Sequence, residues 1–251
     1  MDPLFHLLLF VIATAANLLS ALAGGGSGLL QLPALILLGL PFHIALATHK
    51  VASVALGVGA SLRHARERTL EWRFALFILA AGLPGVIAGA SLVLAIPERT
   101  AEIALGLLIM ALGLYSFLQP ELGLAHAPRQ RHMRGYITGG LALTGLGLIN
   151  GSLTAGSGLF VTLWLVRWFG LDYKRAVAYT LVLVGVFWNG AGALTLGLLA
   201  EIEWTWLPAL IAGSLVGGYL GAHLAIVRGN RLIKRVFEIV TVLVGLRLIM
   251  G

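Results

Sequence analysis

The chain has 251 residues, of which 59% are hydrophobic and only 11% charged, with a mean hydropathy of +0.97. A soluble domain needs far more polar surface than this, and the absence of cysteine excludes disulfides, thiol chemistry and Cys-ligated metal. The net charge of +7 is spread over short loops rather than gathered on a basic domain, which excludes nucleic acid as a partner.

The first apolar segment covers residues 4–23. It begins "MDPLFHLLLF", without the basic stretch that a secretory signal needs, so "ALA" at 21–23 is read as part of a retained helix. The glycine-rich break "GGGSG" follows at 24–28, then a short segment at 29–40 containing Pro33. Segments at 43–62, 72–95 and 101–118 complete the first half. A polar stretch, 119–135 ("QPELGLAHAPRQRHMRG"), separates it from segments at 136–152, 158–170, 173–198, 204–227 and 231–250. The segment at 158–170 is again short and again follows a glycine break, "TAGSG" at 154–158. Most of the others approach the roughly 20 residues that span a bilayer core. Their apolar runs are continuous rather than alternating, which excludes a membrane β-barrel.

A shift of about 130 residues superimposes the two halves: Gly26-Ser27-Gly28 falls on Gly156-Ser157-Gly158, Trp72 on Trp204, Gly85 and Gly89 on Gly217 and Gly221, Arg99 on Arg231. The reading is therefore an all-α polytopic membrane protein. It has two inverted repeats of about five segments each, with broken or short helices at the glycine-rich motifs: residues 1–118, a cytoplasmic linker at 119–135, and residues 136–251. Basic loops at 63–73, 119–135 and 228–235 are placed inside by the positive-inside rule, and 97–100 and 199–203 outside. If the short segments are re-entrant hairpins, each half has fewer spans and the termini move. Trp72 and Trp204 read as interfacial anchors, as do His43, His64 and His223 near helix ends.

The breaks read as halves of an anion site. A glycine turn that opens a helix presents free N–H groups at the positive end of the helix dipole. Gly25, Gly26 and Gly28 permit close approach, and Ser27 adds a hydroxyl. Gly156, Ser157 and Gly158 would do the same from the opposite side. Lys50 in "ATHKVAS" (47–53) lies about two turns into an apolar segment, where a charge needs a partner. Two readings stay open: a substrate anion, or a lysine that snorkels to the surface or pairs with Glu238. Thr48, His49 and Ser53 lie close to it in sequence, and Gln31 sits in the first short segment. In the second half Thr180 keeps a hydroxyl, but Leu181 stands at the counterpart of Lys50, so the site is asymmetric. Asn189 is a further candidate; it shares a face with Thr180 only if the helix is kinked. Asn17 and Asn150 lie near the ends of the helices preceding the breaks, either as caps or as substrate contacts. There is no catalytic set, no P-loop and no acidic metal cluster, so neither an enzyme nor a metal or cofactor site is expected.

At "GGGSGLLQLPALILLGLPFHIALATHK" (24–50) and "AGSGLFVTLWLVRWFGLDYKRAVAYT" (155–180) the chain resembles the TauE/SafE sulfite exporter family, nearly over its whole length. His49 replaces the asparagine of the family's Ala-Thr-Asn-Lys motif, while Lys50 remains. In the second motif Thr180 and Asn189 remain and Leu181 departs from a lysine. The resemblance implies a secondary transporter, usually an exporter, of sulfite, organosulfonates or related sulfur anions in a bacterial inner membrane, working by alternating access. It binds a small anionic substrate within the lipid bilayer and is compatible with a coupling proton or ion and with a homo-oligomer. A carboxylate permease and a non-transporting membrane scaffold are the alternative readings.

Overall fold

The computed structural model describes residues 3–67, 70–92, 98–152 and 156–250. The second break's Thr154 and Ala155, and Pro97 of the loop read as outside, lie beyond them. Among the described residues the regular structure is all helical, without strands. In the first half α1 (Pro3–Ala23) leads to a 3-10 turn (Ser27–Leu29) and the seven-residue α2 (Gln31–Leu37). There follow α3 (Phe42–His64), α4 (Trp72–Leu92) and α5 (Glu98–Leu118). The second half has α6 (Met133–Ser152), the 11-residue α7 (Ser157–Arg167) and α8 (Tyr173–Tyr179), which runs through a π-helical stretch (Thr180–Trp188) into α9 (Asn189–Leu199). It closes with α10 (Leu207–Arg228) and α11 (Asn230–Met250). Helix α6 starts inside the stretch read as linker. Among the described residues five helices are long and apolar enough to cross a membrane: α1, α3, α4, the continuous helix 173–199, and α10.

The short helices end as the sequence requires. At 1.5 Å per residue α2 is about 10 Å long, far short of a bilayer. Gly39 (φ 106°) follows α2 and Gly170 (φ 72°) follows α7. Both occupy the left-handed region that stops a helix at low cost for glycine.

Packing is reciprocal between the halves. Helix α1 lies along α10, and α6 lies along α4. The glycines make both contacts. A Cβ on Gly217 or Gly221 would collide with the carbonyls of Thr14 and Leu18, and a Cβ on Gly85 or Gly89 with those of Thr144 and Leu148. Thr14 and Thr144, like Leu18 and Leu148, are 130 residues apart, so the shift visible in the sequence is also the register of the contacts. Between membrane helices, where lipid offers no hydrophobic advantage to association, such close backbone approach supplies the attraction. Helix α3 crosses the π stretch where Gly57 meets Gly185, and α5 pairs with α11. Buried between α5, α8 and α11, Lys234 Nζ donates to Glu238 Oε1 (2.6 Å) and to the Ser116 carbonyl, and Ser116 Oγ meets Tyr173 Oη at 2.9 Å.

At the end of α3 the fold is tied by charge. Glu67 accepts from Lys174 Nζ (3.0 Å) at the start of α8 and from Arg63 Nη1 (3.1 Å). The Lys174 bond first, then the Arg63 bond, hold the Glu67 carboxyl below the usual carboxylate range. A depressed folded-state pKa means stability present above the unfolded value and lost as pH falls through the folded one. His64, read as interfacial, is buried beside this cluster.

Three outcomes are expected. Gly85→Ala should lower stability by about 1–3 kcal/mol through overpacking. Gly145→Ala, with nothing near its Cβ position, should be neutral or up to about 1 kcal/mol stabilising; thermal unfolding in detergent micelles measures both. Glu67→Gln should flatten the acid limb of the stability curve below the normal glutamate range, about pH 4.3, with less effect at neutral pH in high salt.

Candidate functional site

The two breaks meet backbone to backbone. A Cβ on Gly25 would lie 2.5 Å from the Gly158 Cα, and one on Gly158 would lie 2.8 Å from the Gly25 Cα. Only glycine allows this, and the turn itself needs glycine too: Gly24 (φ 85°), Gly25 (φ 132°) and Gly26 (φ 100°) are all left-handed, as is Gly156 (φ 71°) at the start of α7. The turn is pinned at both ends. Gly24 N and Gly25 N donate to the Ser20 carbonyl (2.9 and 2.8 Å), and Thr162 Oγ1 donates to the Gly24 carbonyl (2.6 Å). Thr162 Oγ1 also reaches Thr180 Oγ1 at 2.9 Å, joining α7 to the π stretch. Each break then starts a new helix, whose first N–H groups have no intrahelical acceptor and carry the positive end of the dipole.

Between the breaks lies a cavity of about 30 Å³, lined by Gly25, Gly26, Ser27 and Gly28 from one side and Ser157 and Gly158 from the other. Thr180, Leu181 and Asn189 contribute from the long helix, Asn150 from α6, and Ser20 and Leu56 from α1 and α3. Its volume is that of about one water molecule, so a polyatomic anion enters only with separation of the walls.

Lys50 does not itself line the cavity; it is fully buried, at 0% exposure, behind the wall residues Asn150 and Asn189 that it bonds. Its Nζ donates to the Asn150 carbonyl (2.7 Å), to Asn150 Oδ1 (3.0 Å) and to Asn189 Oδ1 (3.3 Å). Asn150 Nδ2 in turn donates to Ser157 Oγ (2.8 Å), so the ammonium is wired through one amide to the second break. Three neutral oxygens satisfy the donors of Lys50 but leave its charge uncompensated, since no carboxylate pairs with it among the described residues. The alternative reading of Lys50 is thereby overturned: it does not reach the surface, and Glu238 belongs to Lys234 on the α11 helix.

The other sequence candidates fall in different places. Thr180 and Asn189 line one cavity because of the π stretch between them. Nine α-helical residues are two and a half turns and would set them on opposite faces; i→i+5 winding makes about two turns of the same length and brings them together. Ser53 Oγ bonds the Lys50 carbonyl (2.8 Å) on its own helix. Thr48 Oγ1 accepts from the Glu203 N–H (2.9 Å), at the far end of α3 from the Glu67 cluster. Gln31 Oε1 accepts from Asn17 Nδ2 (2.9 Å), which also reaches Ser214 Oγ (2.9 Å) on α10. His49 is buried with neither ring nitrogen hydrogen-bonded. Gly156 caps α7 without lining the cavity. Ser20 and Leu56 are wall residues that the sequence reading did not name, and Asn150 carries more than the cap it could have been. A signal for two of them existed: Ser20 and Asn150 are separated by the same 130 residues as the breaks.

Helices that stop and restart in the middle of an apolar bundle, around a buried charge, are the construction of a membrane transporter. Residues 9–248 match the family model "Sulfite exporter TauE/SafE", and the chain belongs to that family. It is 30% identical to a probable membrane transporter protein of Haemophilus influenzae over 96% of this chain and 93% of that one. It is 28% identical to the probable membrane transporter protein YfcA of Escherichia coli K12, covering 99% of this chain and 91% of that one. A probable membrane transporter protein of Sinorhizobium, ORF9, is 27% identical over 99% and 94% of the two chains. No solved structure matches the chain.

Removing the acceptors of Lys50 should be costly. Asn150→Ala should destabilise the protein by about 2–3 kcal/mol, the cost of a buried charged donor left short of partners. In the double variant Lys50→Met/Asn150→Ala much of that loss should return, giving a coupling energy of about 1 kcal/mol or more in a double-mutant cycle of thermal or chemical unfolding.

Proposed function

We propose that the protein exports a small sulfur oxyanion or sulfonate, such as sulfite, across a bacterial inner membrane by alternating access between its two halves, arranged as inverted repeats. The observation that carries this reading is the Lys50 ammonium, fully buried, held by amide oxygens and lacking an acidic partner beside two converging helix starts. A buried cation without a counter-charge is expensive in a membrane, and an anion between the breaks would both neutralise it and accept the N–H groups of the two helix starts. Hydroxyls of Ser27, Ser157 and Thr180 would complete the shell.

The small cavity corresponds to a contracted state. Transport then consists of anion entry as the walls part on one side, closure, and parting on the other. Lys50 spans the halves, from α3 to α6 and α9, so an oxyanion that draws Nζ away from Asn150 and Asn189 also loosens their connection. A negative-inside potential favours export of an anion by about 2.3 kcal/mol per charge per 100 mV, without a further energy source.

The test is flux in proteoliposomes loaded with sulfite. Wild type should release it at a rate that rises with an outward-driving potential, and Lys50→Ala should abolish most of that release at normal folded yield. Sulfite release unchanged in folded Lys50→Ala would remove the lysine from the mechanism. Thermal stabilisation by carboxylates alone, in a panel with sulfite, sulfonates and thiosulfate, would point to a different substrate class.

A further inference from the structure

Lipid tails gain nothing by leaving one apolar surface for another, so a groove on a membrane bundle selects a lipid only by shape and by its head group. One groove in this protein offers both. It lies between α5, α6 and α7 and measures about 550 Å³. Helices α5 and α6 each touch α7 but do not pack along one another, so α7 forms the floor of an open cleft. The floor runs from Phe160 to Arg167, about 10 Å of helix. Tyr115 makes one wall, and Ala142 to Ile149 of α6 make the other. On that wall Gly145 has nothing near the position of a Cβ, so the cleft is unfilled there.

Arg167 stands at one end of the cleft. Its Nε donates to Tyr115 Oη, and among the described residues its two Nη groups have no partner and no carboxylate pairs with it. This end adjoins the stretch 119–135. The Ala127 N–H donates to the Gly170 carbonyl (2.9 Å), the Arg129 N–H to the Phe169 carbonyl (3.0 Å), and Trp168 Nε1 to the Gly135 carbonyl (3.1 Å). Exposed Arg129 and Arg134 therefore flank the same end. Tryptophan, tyrosine and arginine gathered at one level mark a membrane–water interface, and the arginine fork matches the oxygens of a phosphate. The other end, at Ile149 and Phe160, lies toward the second glycine break. A second cleft, between α3, α9 and α10, is larger at about 750 Å³, but no charged side chain lines it. It offers shape without a head-group site.

We infer that the cleft between α5, α6 and α7 holds one anionic phospholipid, its phosphate on the Arg167 guanidinium and one acyl chain lying along α7 past Gly145. A zwitterionic lipid would bring a cation of its own toward Arg129, Arg134 and Arg167, so the net charge of the head group decides which lipid stays. The cleft is separate from the cavity between the breaks, and the inference does not depend on the proposed function.

Native mass spectrometry of the delipidated protein in detergent, titrated with dioleoylphosphatidylglycerol or dioleoylphosphatidylcholine, tests this. Wild type should retain one phosphatidylglycerol saturably and hold phosphatidylcholine about fivefold more weakly, the worth of one arginine near an anionic head group. Arg167→Gln should erase that preference, and the surface pair Arg129→Gln/Arg134→Gln should reduce it. Gly145→Leu, whose side chain enters open space, should weaken binding of both lipids. Gly190→Leu, which fills the other cleft at a position equally free of neighbours, should leave both as in wild type. Folding of each variant is checked by monodisperse elution. Glycerol phosphate, a head group without chains, should not compete. Equal retention of the two lipids by wild type overturns the proposal, and so does an undiminished preference in folded Arg167→Gln. Displacement by glycerol phosphate would assign the end of the cleft to a free phosphate instead. A dimer that disappears in Gly145→Leu, with no saturable lipid, would assign the cleft to a second copy of the chain; either result overturns the lipid site.

Discussion

The site is organised by a charge with nowhere else to go. The Lys50 ammonium is sealed from solvent, and the described residues offer it oxygens but no acid. Holding it there requires Asn150 to turn inward from α6 and Asn189 from the long helix. It also requires the π winding that lets Asn189 and Thr180 face the same space. The glycine breaks bring two helix starts to the same centre, so their partial positive charge adds to that of Lys50. Each of these features taken alone raises the energy of the chain. Taken together, and on the proposed function, they make a place that an anion would stabilise, with local cost resolved by the ligand.

Much of the fold was legible because membrane constraints are blunt. Long apolar runs between charged loops leave little choice but helices, and the ten segments read from hydropathy correspond to helices within a few residues at most ends. The 130-residue shift shared by these contacts was legible because glycine at a backbone crossing cannot be replaced. Gly85, Gly89, Gly217 and Gly221 mark contacts, and contacts preserve register.

The site was legible only in part. Gly25 to Gly28, Ser157, Gly158, Thr180 and Asn189 line the cavity, and their residue types point to it. Three things were not settled by sequence alone. Asn150 reads equally as a cap or as a substrate contact, because a polar residue before a break can serve either, and only the fold brings Lys50 to it across 100 residues of chain. Ser20 is a common residue in an apolar run, with no local pattern to separate it from a packing serine. The π stretch has no sequence signature in "TLVLVGVFW", a run of β-branched and apolar residues that fits any helix; it lies where Gly185 meets Gly57 of α3, a contact between residues far apart in the chain.

That wider turn gives the long helix a kind of slack. Residues 180–188 hold more chain per turn than the α-helices on either side. Rewinding them to α geometry would leave both flanking helices intact and their backbone bonds made. It would nonetheless rotate one flank against the other by about half a turn. Asn189 would swing off the face it shares with Thr180 and take one of the ammonium's acceptors with it. An α-wound stretch would thus leave the Lys50 ammonium with the Asn150 oxygens alone.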